Sequence, residues 1–283
     1  MAKILDGKEV AKAINEENTA KALKLKETGI EPTLAIIRVG EEPGDIAYER
    51  GASKRAENTG ITVKHFLFDE DVSQEQLLET IRQINRDNTI HGVLMLRPLP
   101  RQIDEWAVCE ALDPAKDLDG ITSGSMAGVF MDTGQGFPPC TAEACMSILD
   151  HYGIDLKGLK VTVMGRSLVI GKPVAMMAMK RNATVTVIHS RTRDEDFAAA
   201  GQGADVIIAA IGRPRMIGAD RMGRDQIILD VGINVDENGN ICGDVDPEAA
   251  ETQASMLTPV PGGVGSVTTA ILMKHLLEAA EAI

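Results

Sequence analysis

The chain has 283 residues, 44% hydrophobic and 25% charged, a composition that fits a folded protein with a sizeable core in one or two domains. Its net charge of −13 excludes a nucleic-acid partner held by a broad basic surface, so an anionic ligand needs a local cationic pocket. The N-terminal residues lack an apolar signal core, and no apolar run reaches the ~20 residues of a membrane span, which predicts a soluble cytoplasmic protein with no membrane partner.

The first half alternates strand-like and helix-like patterns, the signature of an α/β protein with largely parallel sheets. Residues 34–39 read as a buried strand, and 45–58 as a helix closed by Gly60. A second strand follows over 61–68. Ser73 and Gln76 then form a capping-box pattern for a helix running to about Arg86, ahead of an apolar strand over 92–96. Glycines and prolines cluster at 137–141 and mark a domain junction, dividing the chain into 1–138 and 139–265, with the helix over 266–283 expected to pack back on the first domain.

The second half repeats the alternation. Residues 160–164 form a short strand, Gly165 to Gly171 a glycine-bounded turn, and 172–181 a helix, followed by strands at 184–188, 205–210 and 226–230. A strand, glycine turn and helix place backbone amides and a helix dipole where a pyrophosphate can sit. The turn is G-R-S-x-x-x-G rather than G-x-G-x-x-G, so on its own it is a weak dinucleotide motif. The second strand ends in His189-Ser190-Arg191-Thr192-Arg193, where an NAD site carries an acid for the ribose hydroxyl. Hydroxyls and guanidiniums there, with Arg166 in the turn, suit a 2′-phosphate and favour NADP.

Near the C-terminus, Thr258-Pro259-Val260-Pro261-Gly262-Gly263-Val264-Gly265 is a rigid loop poor in side chains, opening into a helix from about Ser266. Such a loop lets a ligand approach the backbone closely. Cys109, Cys140, Cys145 and Cys242 have neither metal nor disulfide spacing, and His65, His91, His151, His189 and His275 are scattered, so no metal is implied.

Tyr48, Pro98-Leu99-Pro100, Asp117-Leu118-Asp119-Gly120, Pro139-Cys140-Thr141, Gly165-Arg166-Ser167 with Gly171-Lys172-Pro173, Asp230-Val231-Gly232-Ile233-Asn234, Gly243-Asp244-Val245 and Pro261-Gly262-Gly263-Val264-Gly265 occur in one ordered set. This set resembles the methylenetetrahydrofolate dehydrogenase/cyclohydrolase family over essentially the whole chain. The resemblance implies an N-terminal α/β folate domain, a Rossmann-type NADP domain, a homodimer, and tetrahydrofolate one-carbon derivatives as substrates. It further implies that Tyr48 stacks on the folate, Asp119 holds the pteridine edge, and Pro261, Gly262 and Gly263 line the folate site. Tyr48 and Asp119 are the expected catalytic residues. Arg166, Ser190 and Arg191 are the expected ribose-phosphate ligands. Gly165, Ser167, Ile170 and Gly171 lie near the pyrophosphate in this reading, and Gly232 and Ile233 near the nicotinamide ribose.

Beside smaller departures at Ala142 and Ser266, where the family usually has Pro, two positions depart from the family pattern at its chemistry. Its hydrolytic step uses a Lys four residues after the Tyr and a Gln two residues before the Pro-Leu-Pro, and here these are Ala52 and Leu96. Neither side chain can move a proton. Lys54 lies six residues after Tyr48, on another helix face, and Arg55 is never a base at neutral pH. The expectation is a dehydrogenase that has lost cyclohydrolase activity, with the bifunctional enzyme as the alternative.

Overall fold

The computed structural model describes residues 2–282. The chain begins with β1 (Lys3–Ile4), α1 (Gly7–Glu27), β2 (Thr33–Val39), α2 (Pro43–Thr59), β3 (Thr62–Phe68), α3 (Gln74–Arg86) and β4 (Gly92–Met95). Three helices follow, α4 (Glu105–Glu110), α5 (Ser123–Met131) and α6 (Cys140–His151). Next come β5 (Lys160–Met164), α7 (Gly171–Lys180), β6 (Thr184–Ile188), α8 (Asp194–Gln202), β7 (Val206–Ala209) and β8 (Gln226–Asp230). The chain ends with β9 (Asn234–Val235), β10 (Ile241–Cys242), α9 (Pro247–Gln253), β11 (Ala254–Leu257) and α10 (Thr268–Glu281).

Two compact units result, one made of the chain up to Lys12 with Thr141–Thr268, the other of Ala13–Cys140 with the chain from Thr269 on. The latter holds a three-stranded parallel sheet in the order β3-β2-β4. Central β2 is buried on both faces, as its continuous apolar run requires, and Leu34, Ala35, Ile36 and Ile37 are fully buried. The capping box forms: Ser73 Oγ accepts the Gln76 N–H at 3.3 Å and Gln76 Oε1 accepts the Ser73 N–H at 3.2 Å. Leu77, Ile81 and Ile84 recur at helical spacing on α3 and pack into a core with Ala35, Ile37, Val93 and Met95. Each such buried side chain contributes about 1.5–3 kcal/mol. Pro43 opens α2, and Gly60, at φ 87°, closes it in the left-handed conformation that favours glycine.

The other unit carries a six-stranded sheet, order β1-β11-β8-β7-β5-β6, with every neighbouring pair parallel. From central β5 the chain crosses to β6 on one side and then returns to β7 on the other. That reversal opens a crevice at the carboxyl ends of β5 and β7, where ligands of doubly wound sheets bind.

The N-terminus differs from the sequence reading. Residues before Ala13, expected with the first domain, join the six-stranded unit, because Lys3 pairs with Met256, Ile4 with Leu257, and the Gly7 N–H donates to the Gly262 carbonyl at 2.9 Å. Helix α1 was not read from sequence, since its buried positions include the small residues Ala11 and Ala22, which give little periodic contrast. The last helix starts at Thr268 rather than Ser266, because Val264–Ser266 form a 3-10 turn closed by the Val267 N–H on the Val264 carbonyl at 2.9 Å.

Candidate active site

In the six-stranded unit, a pocket of about 320 Å³ collects residues from the carboxyl ends of three adjacent strands. Gly165, Arg166 and Ser167 follow β5, His189, Ser190 and Thr192 follow β6, and Ala210, Ile211 and Arg213 follow β7. A Cβ on Gly165 would lie 2.3 Å from the Ala210 carbonyl oxygen, and one on Gly171 2.4 Å from the Gly165 carbonyl oxygen. Only glycine permits this approach of strand, turn and helix start, so the motif is a steric cradle at the N-terminus of α7. Ser167 shapes the turn: its Oγ accepts the Ile170 N–H at 3.3 Å and its carbonyl accepts the Lys172 N–H at 3.0 Å. Ile170 is itself buried. The donors present, two guanidiniums and three hydroxyls, suit a phosphorylated ribose, and the glycine cradle suits a pyrophosphate. Arg191 does not line this pocket; its N–H donates to His189 Nδ1 at 3.1 Å in the turn after β6.

Two buried carboxylates organise the adjoining loops. Asp244 accepts the N–H groups of Ile211 at 2.5 Å, Gly212 at 3.0 Å and Arg213 at 2.9 Å, and the Asn234 amide at 2.9 Å. Asp230 accepts the N–H groups of Gly232, Asp244 and Val245, each at 3.0 Å. Burial is the main cause raising the Asp230 pKa to about 6; the three amides oppose it, and the charge of Asp244 adds to it. A Cβ on Gly232 would lie 2.4 Å from Asp244 Oδ1, so this glycine lets the β8 exit close over the acid. Ile233, beside it, is exposed. No role for these two acids was read from the sequence, because two aspartates in loops give no signal until the amides they gather are known.

The loop before α10 belongs to the same unit. Gly262 has φ 108°, and a Cβ on Gly263 would lie 2.5 Å from the Pro259 carbonyl oxygen. Gly7 abuts this loop so closely that a Cβ there would lie 2.0 Å from the Gly263 carbonyl oxygen. Pro261, Gly262 and Gly263 thus form a tightly supported backbone surface.

In the three-stranded unit, Tyr48 projects from α2 with 46% exposure, far from the core aromatic that its residue type also allows. Desolvation raises the pKa of its hydroxyl, and the neighbouring Asp119 carboxylate adds to the effect. Asp119 is partly buried, and one of its oxygens accepts the Cys140 N–H at 3.0 Å. Desolvation raises its pKa against the lowering effect of Cys140. The turn-forming role in the Asp-Leu-Asp-Gly segment falls to Asp117, which accepts the N–H groups of Ile121 at 3.0 Å and Thr122 at 2.8 Å and the Ser125 hydroxyl at 2.7 Å. His275, on α10, supports the same segment: its Nδ1 lies 2.7 Å from the Leu118 carbonyl oxygen, and its ring stacks on Phe137 at 4.8 Å. A lone histidine in an apolar helix gave no hint of that contact. Ala52 and Leu96 are 1% and 6% exposed, apolar side chains packed in the core.

Two family models match in succession. The tetrahydrofolate dehydrogenase/cyclohydrolase catalytic domain matches residues 5–119, and the NAD(P)-binding domain of the same proteins matches residues 139–283. The chain belongs to the tetrahydrofolate dehydrogenase/cyclohydrolase family. Among curated family members, the bifunctional protein FolD of Clostridioides difficile is 47% identical over 98% of this chain and 96% of its own length. The crystal structure of the FolD methylenetetrahydrofolate dehydrogenase/cyclohydrolase from Campylobacter jejuni superposes with TM-score 0.96 at 36% identity, covering 100% of this chain and 99% of that one. The Trypanosoma brucei family member, solved with NADP cofactor and inhibitor, gives TM-score 0.92 at 31% identity over 99% and 98% of the two chains. The two-domain α/β architecture expected from sequence is therefore that of the family.

Proposed function

We propose that the protein oxidises 5,10-methylenetetrahydrofolate to the 5,10-methenyl cation with NADP, and that it has little or no cyclohydrolase activity. The observation carrying the first part is the phosphate-suited pocket at the ends of β5, β6 and β7, within a chain whose family members include FolD dehydrogenases. NADP supplies the hydride acceptor. The chain's own residues bind and orient. Arg166, Ser190 and Thr192 present donors to the ribose phosphate, and the cradle of Gly165 and Gly171 admits the pyrophosphate. Gly232 and Ile233 border the nicotinamide end.

Tyr48 stacks on the folate, and Asp119 accepts parallel hydrogen bonds from the amino-pyrimidine edge, fixing the one-carbon bridge in place. Pro261, Gly262 and Gly263 offer backbone to the substrate. The product cation is delocalised over two nitrogens, so this step requires no protein base.

Hydrolysis of the cation does require proton movement. The buried methyl of Ala52 and isobutyl of Leu96 replace the family's Lys and Gln, which supports the monofunctional reading. The bifunctional alternative is favoured by the names of the relatives, several of which are bifunctional FolD proteins. We place the enzyme in the cytoplasm as a homodimer. Its four cysteines are buried and lack disulfide spacing, in keeping with a reducing compartment, and light scattering should give twice the chain mass.

The reading is tested by mixing purified protein with 5,10-methylenetetrahydrofolate and either NADP or NAD. Reduced nicotinamide should form at least about tenfold faster with subsaturating NADP, as loss of a charge-assisted phosphate contact predicts. Absence of reduction with both cofactors would remove the dehydrogenase assignment.

A further inference from the structure

Sequence placed the cofactor's 2′-phosphate against Arg166, Ser190 and Arg191, but the pocket distributes its charge differently. Arg191 lies outside the lining, whereas Arg213, in the loop leaving β7, lines the pocket together with Arg166, Ser190 and Thr192. We propose that Arg213 is the second cation of the 2′-phosphate subsite and a determinant of NADP over NAD. This inference rests on the NADP reading above.

A phosphate monoester carries close to two negative charges near neutral pH, which one guanidinium leaves partly uncompensated. A chain of net charge −13 has no diffuse positive field to make up the difference, so a second local cation changes the binding energy directly. Arg213 meets that need from a fixed root. Its N–H donates to Asp244 Oδ1 at 2.9 Å, and the preceding Gly212 N–H to Asp244 Oδ2 at 3.0 Å, on a carboxylate that is fully buried.

Its side chain is also uncommitted: among the described residues neither Arg166 nor Arg213 has an ion pair. The nearby Arg215 is held by Asp236 at 3.2 Å and Arg221 lies 3.9 Å from Asp194. Asp194 is the one acid lining the pocket, and that contact with Arg221 offsets part of its charge. Arg213 and Arg166 enter the pocket after different strands, so both can address one phosphate with separate hydrogen-bond forks.

The test is calorimetric binding of adenosine 2′,5′-bisphosphate and of 5′-AMP to the full chain, for the unaltered protein, Arg213→Gln and Arg191→Gln. Arg213→Gln should weaken the bisphosphate by about tenfold or more and leave 5′-AMP within about twofold, while Arg191→Gln costs less. Equal weakening of both nucleotides would mean that Arg213 contacts the adenosine instead, and would overturn the proposal. So would a larger loss from Arg191→Gln. If the unaltered protein prefers the bisphosphate and Arg213→Gln does not change this, the proposal alone fails. If the unaltered protein binds both nucleotides alike, the NADP reading fails and the proposal with it.

Discussion

Asp119 meets two demands with one carboxylate: one oxygen accepts the Cys140 N–H, and the proposed substrate needs the group ionised in order to donate to it. Desolvation raises its pKa, so the proton that blocks binding arrives above the ordinary carboxylate range. The KM for the folate should therefore rise as pH falls through that raised value, and Asp119→Asn should raise KM by about tenfold or more and abolish this acid limb. Steady-state kinetics across pH reads both effects. Asp230 offers a second titration. Its folded pKa of about 6 stands above the ordinary 3.8, so its contribution to stability is fully present below 3.8 and is lost as pH rises through about 6. Carbon-13 NMR of the aspartate carboxyls should show one group titrating near 6, and a set confined below about 4.5 would contradict this environment. Tyr48 and Asp119 were singled out by the family resemblance and Arg166 by its place in the glycine turn, and the roles given to them here are proposals. Residues that act through backbone groups, Asp230, Asp244 and His275 among them, gave no such signal, because most of their partners lie well separated along the chain.

At the scale of elements, period and punctuation carried most of the information. The Ser73 capping box, the Gly60 helix end and the apolar run of β2 each state a local preference that the fold keeps. Two differences have separate causes, one tertiary and one local. β1 has two residues and is defined only by its pairing with β11, and the 3-10 turn at Val264–Ser266 delays α10. The pairing of β1 brings Gly7 against the Pro-Gly-Gly loop, and this contact has a measurable consequence. Gly7→Ala should displace the Gly263 carbonyl, destabilise the protein by about 1–3 kcal/mol in urea unfolding and raise the folate KM. Gly171→Ala should instead weaken nucleotide binding, since its Cβ would enter the cradle beside the Gly165 carbonyl, and titration calorimetry with NADP reads that loss. An alanine tolerated without effect at either position would mean that the close approach is unimportant.

For the whole molecule, the two reactions that the family name joins make different demands on the protein. Hydride transfer asks the protein to hold two ligands, and the residues proposed for that task are present. Hydrolysis asks it to move protons, and at the two expected positions the chain has apolar side chains buried in its core. The sequence alone made that contrast visible, because it is a contrast of residue types at fixed places in a recognised order. The most direct test follows the methenyl species separately from reduced NADP during turnover by the unaltered protein. The account predicts that 5,10-methenyltetrahydrofolate accumulates and decays only at the rate of buffer without enzyme, and that Ala52→Lys with Leu96→Gln accelerates its hydrolysis. Enzyme-accelerated decay by the unaltered protein, at a rate matching its dehydrogenase turnover, would contradict it.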